Sequence, residues 1–242
     1  LVAKSLLNVA VGDEEVFYRL LDTTRSYALE KLALTQDLQG TRERHAERCL
    51  TLMQQAQNDW EKTSTGLWIE RYARALEDIR AALDWGLNAN GPRDLAIRLA
   101  AASTPLWQEL SLLKEHSGHV RKALALLETE PESCPRLKMT LQLALGSACY
   151  HAQGATAETV AVFVNARALA DHCNDVTGQL RALSGHMAVN LSCGNYRMAL
   201  EQSRQFDQLG FNGNALLSLS SQRLRVLALH FYGDQAQARA HA

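Results

Sequence analysis

The chain has 242 residues, 47% of them hydrophobic and 21% charged, with a formal net charge of −1. That apolar fraction supports a sizeable core, and with 4 Pro, 14 Gly and no low-complexity tract it excludes a disordered chain. A near-neutral balance argues against a chain that grips nucleic acid by itself, and neither a signal peptide nor a membrane span of about 18 apolar residues is present.

The segment from Leu1 to Leu7 (LVAKSLL) reads as the tail of a helix. Residues 6–11 and 16–21 are apolar and β-favouring and flank Gly12-Asp13-Glu14-Glu15, which predicts a short hairpin. Asp22 is placed as the N-cap of a helix over 22–32, with Leu21, Arg25, Ala28, Leu29 and Leu32 at helical spacing. A second helix is expected over 41–60, with Ala46, Cys49, Leu50, Met53 and Ala56 as its apolar stripe. A third is expected over 67–88, with Ile69, Tyr72, Ala73, Leu76, Ile79, Ala82, Leu83 and Leu87 inward. Asn88 to Pro92 breaks it, and Pro92 suits a first helical turn. Further helices follow over 93–112, 117–127, 136–152, 157–172, 176–191, 196–209, 215–232 and from 235 onward.

One phrase, G-x-x-x-x-A, recurs at Gly91/Ala96, Gly118/Ala123, Gly194/Ala199 and Gly233/Ala238, and in weaker form at Gly154/Thr159. Glycine takes the left-handed conformation that ends one helix and reverses the chain. A small residue one turn into the next helix lets two antiparallel helices approach closely. Helix pairs of this kind stack because none buries its apolar face alone. Gly154, Gly194 and Gly233 are 40 and then 39 residues apart, longer than the tetratricopeptide period of about 34 residues. The expectation is therefore an all-α, right-handed superhelix of tetratricopeptide-like helix pairs behind a short N-terminal β-hairpin. Its segments are 1–21 (a winged-helix remnant with the hairpin), 22–112 (a helical arm) and 113–242 (the repeats).

Four pieces in one order carry a resemblance: Leu1 to Leu7, Tyr18 to Leu32 (YRLLDTTRSYALEKL), Arg44-His45-Ala46-Glu47, and Asp78 to Trp85 (DIRAALDW). Together they resemble the region that follows the nucleotide-binding module of bacterial STAND-type, NB-ARC-like ATPase transcriptional regulators. The resemblance spans roughly residues 1–127 and extends to the later repeats only in kind. It implies that the first phrase closes a small winged-helix subdomain whose wing is the hairpin, and that winged-helix DNA-binding and ATPase domains lie upstream in a longer protein. The start at Leu1 in mid-pattern fits an excised piece. No G-x-x-x-x-G-K-[ST] loop occurs in the sequence, so ATP and magnesium are expected only in the upstream domain and no cofactor in this segment. No helix-turn-helix with a basic reading helix is visible, so no direct nucleic-acid contact is expected here.

Candidate chemistry is sparse. Cys49, Cys134, Cys149, Cys173 and Cys193 are scattered and form no C-x-x-C pair, which reads as reduced thiols in a cytoplasmic protein. His45 and Cys49 share a helix face but make half a metal site at most. His116 and His119 read as a polar turn near a helix start. His172 and Cys173 are adjacent and point about 100° apart on a helix, so they make no nucleophile–base pair. Ser184-Gly185-His186 lacks the strand–turn–helix setting of a nucleophile elbow. Glu70, Glu77, Asp78 and Asp84 interleave with Arg71, Arg74 and Arg80 as a solvated, salt-bridged face. Trp60, Trp68, Trp85 and Trp107 read as packing between helices.

The expected site is the groove lined by the first helix of each pair. Registering on Gly154, Gly194 and Gly233 places Tyr150, His151, His186, Asn190, Arg225 and His230 near it. Residues 176–242 hold six arginines against three acidic residues, so the groove is expected to be mildly basic and to suit an acidic peptide or an anionic metabolite. The function expected is non-enzymatic: the sensor and protein-interaction region of a STAND-type regulator, binding an effector or partner protein and controlling the upstream ATPase in cis, with self-association in the assembling state. The alternative is a free-standing tetratricopeptide adaptor with a peptide in its groove.

Overall fold

The computed structural model describes residues 6–11, 16–60, 62–88, 91–129, 134–210 and 215–242. The Gly12–Glu15 turn and residues 1–5 of the first phrase lie outside the described residues. Contacts divide the chain into two units, Leu1–His45 and Ala46–Ala242, a division that falls at neither 21/22 nor 112/113.

In the first unit β1 (Leu7–Val11) pairs antiparallel with β2 (Val16–Leu20), Leu7 opposite Leu20 and Val9 opposite Tyr18. Helix α1 (Asp22–Ala33) follows. Asp22 is not its N-cap. Leu21 holds that place with extended backbone and no side-chain bond, while Asp22 sits in the first turn and favours the positive helix end by charge alone. None of the predicted inward positions of α1 is buried, and Tyr27, Leu29 and Leu34 are exposed.

Helix α2 (Leu38–Trp60) runs on into the second unit, where its predicted stripe from Ala46 to Ala56 is fully buried. The helix expected over 67–88 is two, α3 (Thr65–Tyr72) and α4 (Leu76–Gly86), joined by a 3₁₀ turn at Ala73–Ala75. The helix expected over 93–112 is likewise two, α5 (Arg93–Ala102) and α6 (Thr104–Glu109), separated at Ser103. The later elements are α7 (Leu113–Glu128), α8 (Pro135–Gln153), α9 (Ala157–His172), α10 (Val176–Ser192), α11 (Tyr196–Leu209), α12 (Ala215–Tyr232) and α13 (Gln235–His241). The described chain is overwhelmingly α-helical, and no helix in it is long and apolar enough to cross a membrane.

The helices from α5 onward contact one another in a repeating scheme. Within pairs, α5 meets α7, α8 meets α9, α10 meets α11 and α12 meets α13. Between pairs, α7 meets α8, α9 meets α10 and α11 meets α12. The first helices also touch in sequence, α5 to α8, α8 to α10 and α10 to α12. This is a helical-repeat arrangement in which each pair buries its neighbour's apolar face.

Four helix ends share one hydrogen-bond signature. The amides of Leu112, Asp175, Asn195 and Asp234 donate to the carbonyls five residues back, on Trp107, Ala170, Asn190 and Leu229. In each case the preceding residue, Ser111, Asn174, Gly194 or Gly233, has positive φ. This is the left-handed cap that ties off orphan carbonyls. Two of the four use Ser or Asn instead of Gly, at φ 57° and 51°, so glycine alone does not reveal them.

The small residue of each repeated phrase is buried: Ala96, Ala123, Thr159, Ala199 and Ala238. Thr159 holds its slot because its hydroxyl donates to the Gly154 carbonyl at 3.1 Å and meets the Thr156 hydroxyl at 2.9 Å. Gly118, however, lies inside α7 and ends nothing. The turn residue there is Ser111, and the residue five past it is His116. Gly118 and Ala123 sit seven residues further on, two helical turns along the same face, which is why Ala123 is still inward.

Candidate functional site

A groove of about 1000 Å³ lies across the first helices of three successive pairs in the second unit. Helix α8 contributes Thr140, Leu143, Ala144, Ser147, Tyr150 and His151, a stripe at intervals of three and four. Helix α10 contributes Thr177, Gly178, Arg181, Ser184, Gly185 and Ala188, and α12 contributes Ser220, Arg223 and Leu224. The end of α2 adds Gln57 and Trp60, and α6 adds Thr104, Pro105 and Gln108.

Glycines shape the floor. A Cβ on Gly185 would lie 2.2 Å from the Phe163 ring, and one on Gly146 would lie 2.8 Å from it. The ring of Phe163, on α9, is thus seated between α8 and α10 at two positions without side chains. A Cβ on Gly178 would meet Met139 Sδ at 2.4 Å. Glycine inside a helix costs roughly 1 kcal/mol relative to alanine, and here it is offset by side chains that fill the vacated space. Tyr150 ties α8 to α10 across the rim, its hydroxyl 2.8 Å from Ser192 Oγ. Gln108 donates to Ser147 Oγ at 3.2 Å.

Of the residues expected in the groove, Tyr150 and His151 line it. The other four lie elsewhere. Asn190 is buried between α10 and α11, donating to Gln202 Oε1 at 3.0 Å and accepting from Asn195 at 3.4 Å. Arg225 turns to α11 and pairs with Asp207 at 2.6 Å. His230 sits at the α12–α13 turn, its Nδ1 3.0 Å from Gln235 Oε1. His186 is half-buried on another face of α10, and burial pushes its pKa below the ordinary histidine value. Turn glycines locate a helix end but not its azimuth; an offset of one residue rotates a side chain by about 100°. Arg181 and Arg223, the groove's cations, carried no turn or motif signal.

The groove electrostatics are simple. Arg181 and Arg223 are exposed and have no ion pair among the described residues. The groove's carboxylate, Asp175, accepts from the Gly178 amide at 2.8 Å as the cap of α10 and lies 3.5 Å from Arg136.

A second polar cluster sits deep in the same unit. His116 and His119 are not in a polar turn; both are buried on α7 against Trp107, with ring centroids 6.0 and 5.4 Å away. Trp107 donates to Ser103 Oγ at 3.0 Å, and the His116 ring nitrogen lies 3.4 Å from Thr104 Oγ1. Burial lowers the His116 pKa to about 4, opposed in part by the Ala100 carbonyl, and burial also lowers that of His119. Arg80 reaches from α4 to clasp both oxygens of Glu115 at 2.7 and 2.6 Å, which holds that carboxyl below its usual range. Arg80 also pairs with Glu77 at 2.5 Å. Part of the expected solvated face is therefore an inter-helix clasp.

Trp68 and Trp107 are core residues, and Trp60 and Trp85 pack partly buried against that core. Among the described residues, no group of three or more His, Cys, Asp or Glu side chains is placed to hold a metal ion. No protein-family model, curated protein or solved structure matches the chain.

Proposed function

We propose that this chain is a ligand-docking arm, the sensor and interaction region of a STAND-type regulator, whose effector or partner lies in the groove across α8, α10 and α12. The observation that carries this reading is that one continuous groove crosses the first helices of three stacked pairs. Such a surface ties several pairs to one ligand, so occupancy favours one curvature of the array over others. An effector with a preference between states can then bias an upstream ATPase between a closed and an assembling form, whereas equal affinity would shift nothing.

The pairwise contacts support a right-handed superhelix as the continuation of this reading. The antiparallel strands followed by an exposed α1 support a winged-helix remnant in the first unit, with apolar positions on α1 facing the rest of that module.

The test is the natural polypeptide. Intact mass and amino-terminal peptide mapping would show several hundred residues before Leu1, with a glycine–lysine phosphate loop among them. A polypeptide starting at or just before Leu1 would sink the regulator reading and leave the groove to a free-standing tetratricopeptide adaptor.

A further inference from the structure

We propose that the groove takes an extended acidic peptide segment, with Arg181 and Arg223 engaging its carboxylates. This rests on the reading of the groove as a docking surface and adds the chemistry of the occupant. The acidic residues over 176–242 are all engaged elsewhere. Glu201 pairs with Arg204 at 3.1 Å, Asp207 with Arg225 at 2.6 Å, and Asp234 caps α13 through the Gln237 amide at 3.0 Å. Asp175 is committed to a helix cap and to Arg136. The uncompensated charge on the groove wall is therefore positive, presented by two guanidinium forks on neighbouring helices. Such forks match carboxylates in geometry as well as in sign.

Dimensions and floor favour a peptide over a small anion. Packed helix axes lie about 8–10 Å apart, so three first helices span roughly 20 Å, the length of about six extended residues. At Gly178 and Gly185 the space of the missing Cβ is filled by Met139 and Phe163, which also line the groove and give it an apolar floor that suits peptide side chains better than a bare anion. The hydroxyls of Thr177, Ser184 and Ser220 line the groove and have no hydrogen-bond partner among the described residues, which equips it for backbone amides and carbonyls.

The experiment is fluorescence anisotropy on the full 242-residue chain at 150 mM salt. The probe is a fluorescein-labelled dodecapeptide, three repeats of Ser-Asp-Gly-Glu, compared with its Asn/Gln isomer and a lysine isomer. The acidic peptide is expected to bind at least tenfold tighter than either. Arg181→Glu and Arg223→Glu are each expected to weaken it about tenfold, with Arg181→Gln and Arg223→Gln intermediate and all four variants melting like the parent. Arg225→Glu, whose side chain faces Asp207, should stay within twofold. Equal binding of the Asn/Gln isomer would overturn the acidic assignment while leaving the groove a docking surface. Displacement of the peptide by citrate at equal carboxylate concentration would overturn it in favour of a small anion. Failure of all three peptides to bind would overturn both this assignment and the docking reading.

Discussion

Replacing Gly185 with alanine tests how the groove floor is built. The added methyl would lie 2.2, 2.3 and 2.7 Å from three carbons of the Phe163 ring, where carbon–carbon contact settles near 3.5–4.0 Å. The ring must therefore retreat by more than 1 Å. It is 4% exposed and is already seated against Gly146 on the facing helix, with contacts to an added Cβ there of 2.8, 2.9 and 3.1 Å. Alanine gains roughly 1 kcal/mol in helix propensity, while overpacking a filled core costs about 1–3 kcal/mol and occasionally more. A ring braced from two sides puts the cost at the upper end, so the net loss is about 2 kcal/mol. For a chain of this size that is a fall of roughly 4–8 °C in Tm. The assay is urea and thermal unfolding followed by far-ultraviolet circular dichroism, on a cycle with Phe163→Leu. In the leucine background the methyl has room, and Gly185→Ala should become neutral or mildly stabilising. A Gly185→Ala protein as stable as its parent, or costs that add without coupling, would refute the seating of Phe163 between the two glycines.

Three further outcomes follow from the packing. Gly118 lies inside α7 with nothing within 4 Å of an added Cβ, so Gly118→Ala should stabilise the chain by about 0.5–1 kcal/mol; a loss of stability in the same unfolding assay would contradict its mid-helix placement. Asn190→Ala removes the donor to buried Gln202 Oε1 and should cost about 1–3 kcal/mol, read as a lower urea midpoint, with no effect in that midpoint arguing against the buried amide pair. Acidification should destabilise the chain through His116, whose folded pKa of about 4 lies below the ordinary 6.5. The unfolded state then binds more protons between those values, so stability falls as pH drops through the window, by about 3 kcal/mol across it. Glu115, held low by Arg80, adds a loss in the same direction at still lower pH. His116→Phe should flatten the slope of urea midpoint against pH between 6.5 and 4, and an unchanged slope would place the titration elsewhere.

Helix periodicity was enough to find the buried stripe of α2, and the turn residues that bound α9, α11 and α12 were enough to locate them. The break at Ala73–Ala75 carried no Gly or Pro, whereas the one at Ser103 is marked by Pro105 in the first turn of α6, a signal the periodicity reading passed over. The repeated glycine phrase found five buried small positions yet misread Gly118, since the phrase encodes spacing and the turn is made by a backbone hydrogen bond behind Ser111. The lining of the groove needed azimuths: Arg223 and Arg225 are two residues apart, yet the first lines the groove and the second pairs with Asp207 on α11. Phe163 and its glycines were invisible because their meaning lies in contacts between three helices.

The contact scheme also bears on how such a chain can change in length. From α5 to α13 successive pairs touch, and the same left-handed cap recurs at four helix ends. A block of 39 or 40 residues, the distance between the glycines that follow α8, α10 and α12, holds one helix of each of two neighbouring pairs. A chain with one block duplicated or deleted is expected to keep both kinds of contact, within and between pairs, and to have a groove longer or shorter by one helix.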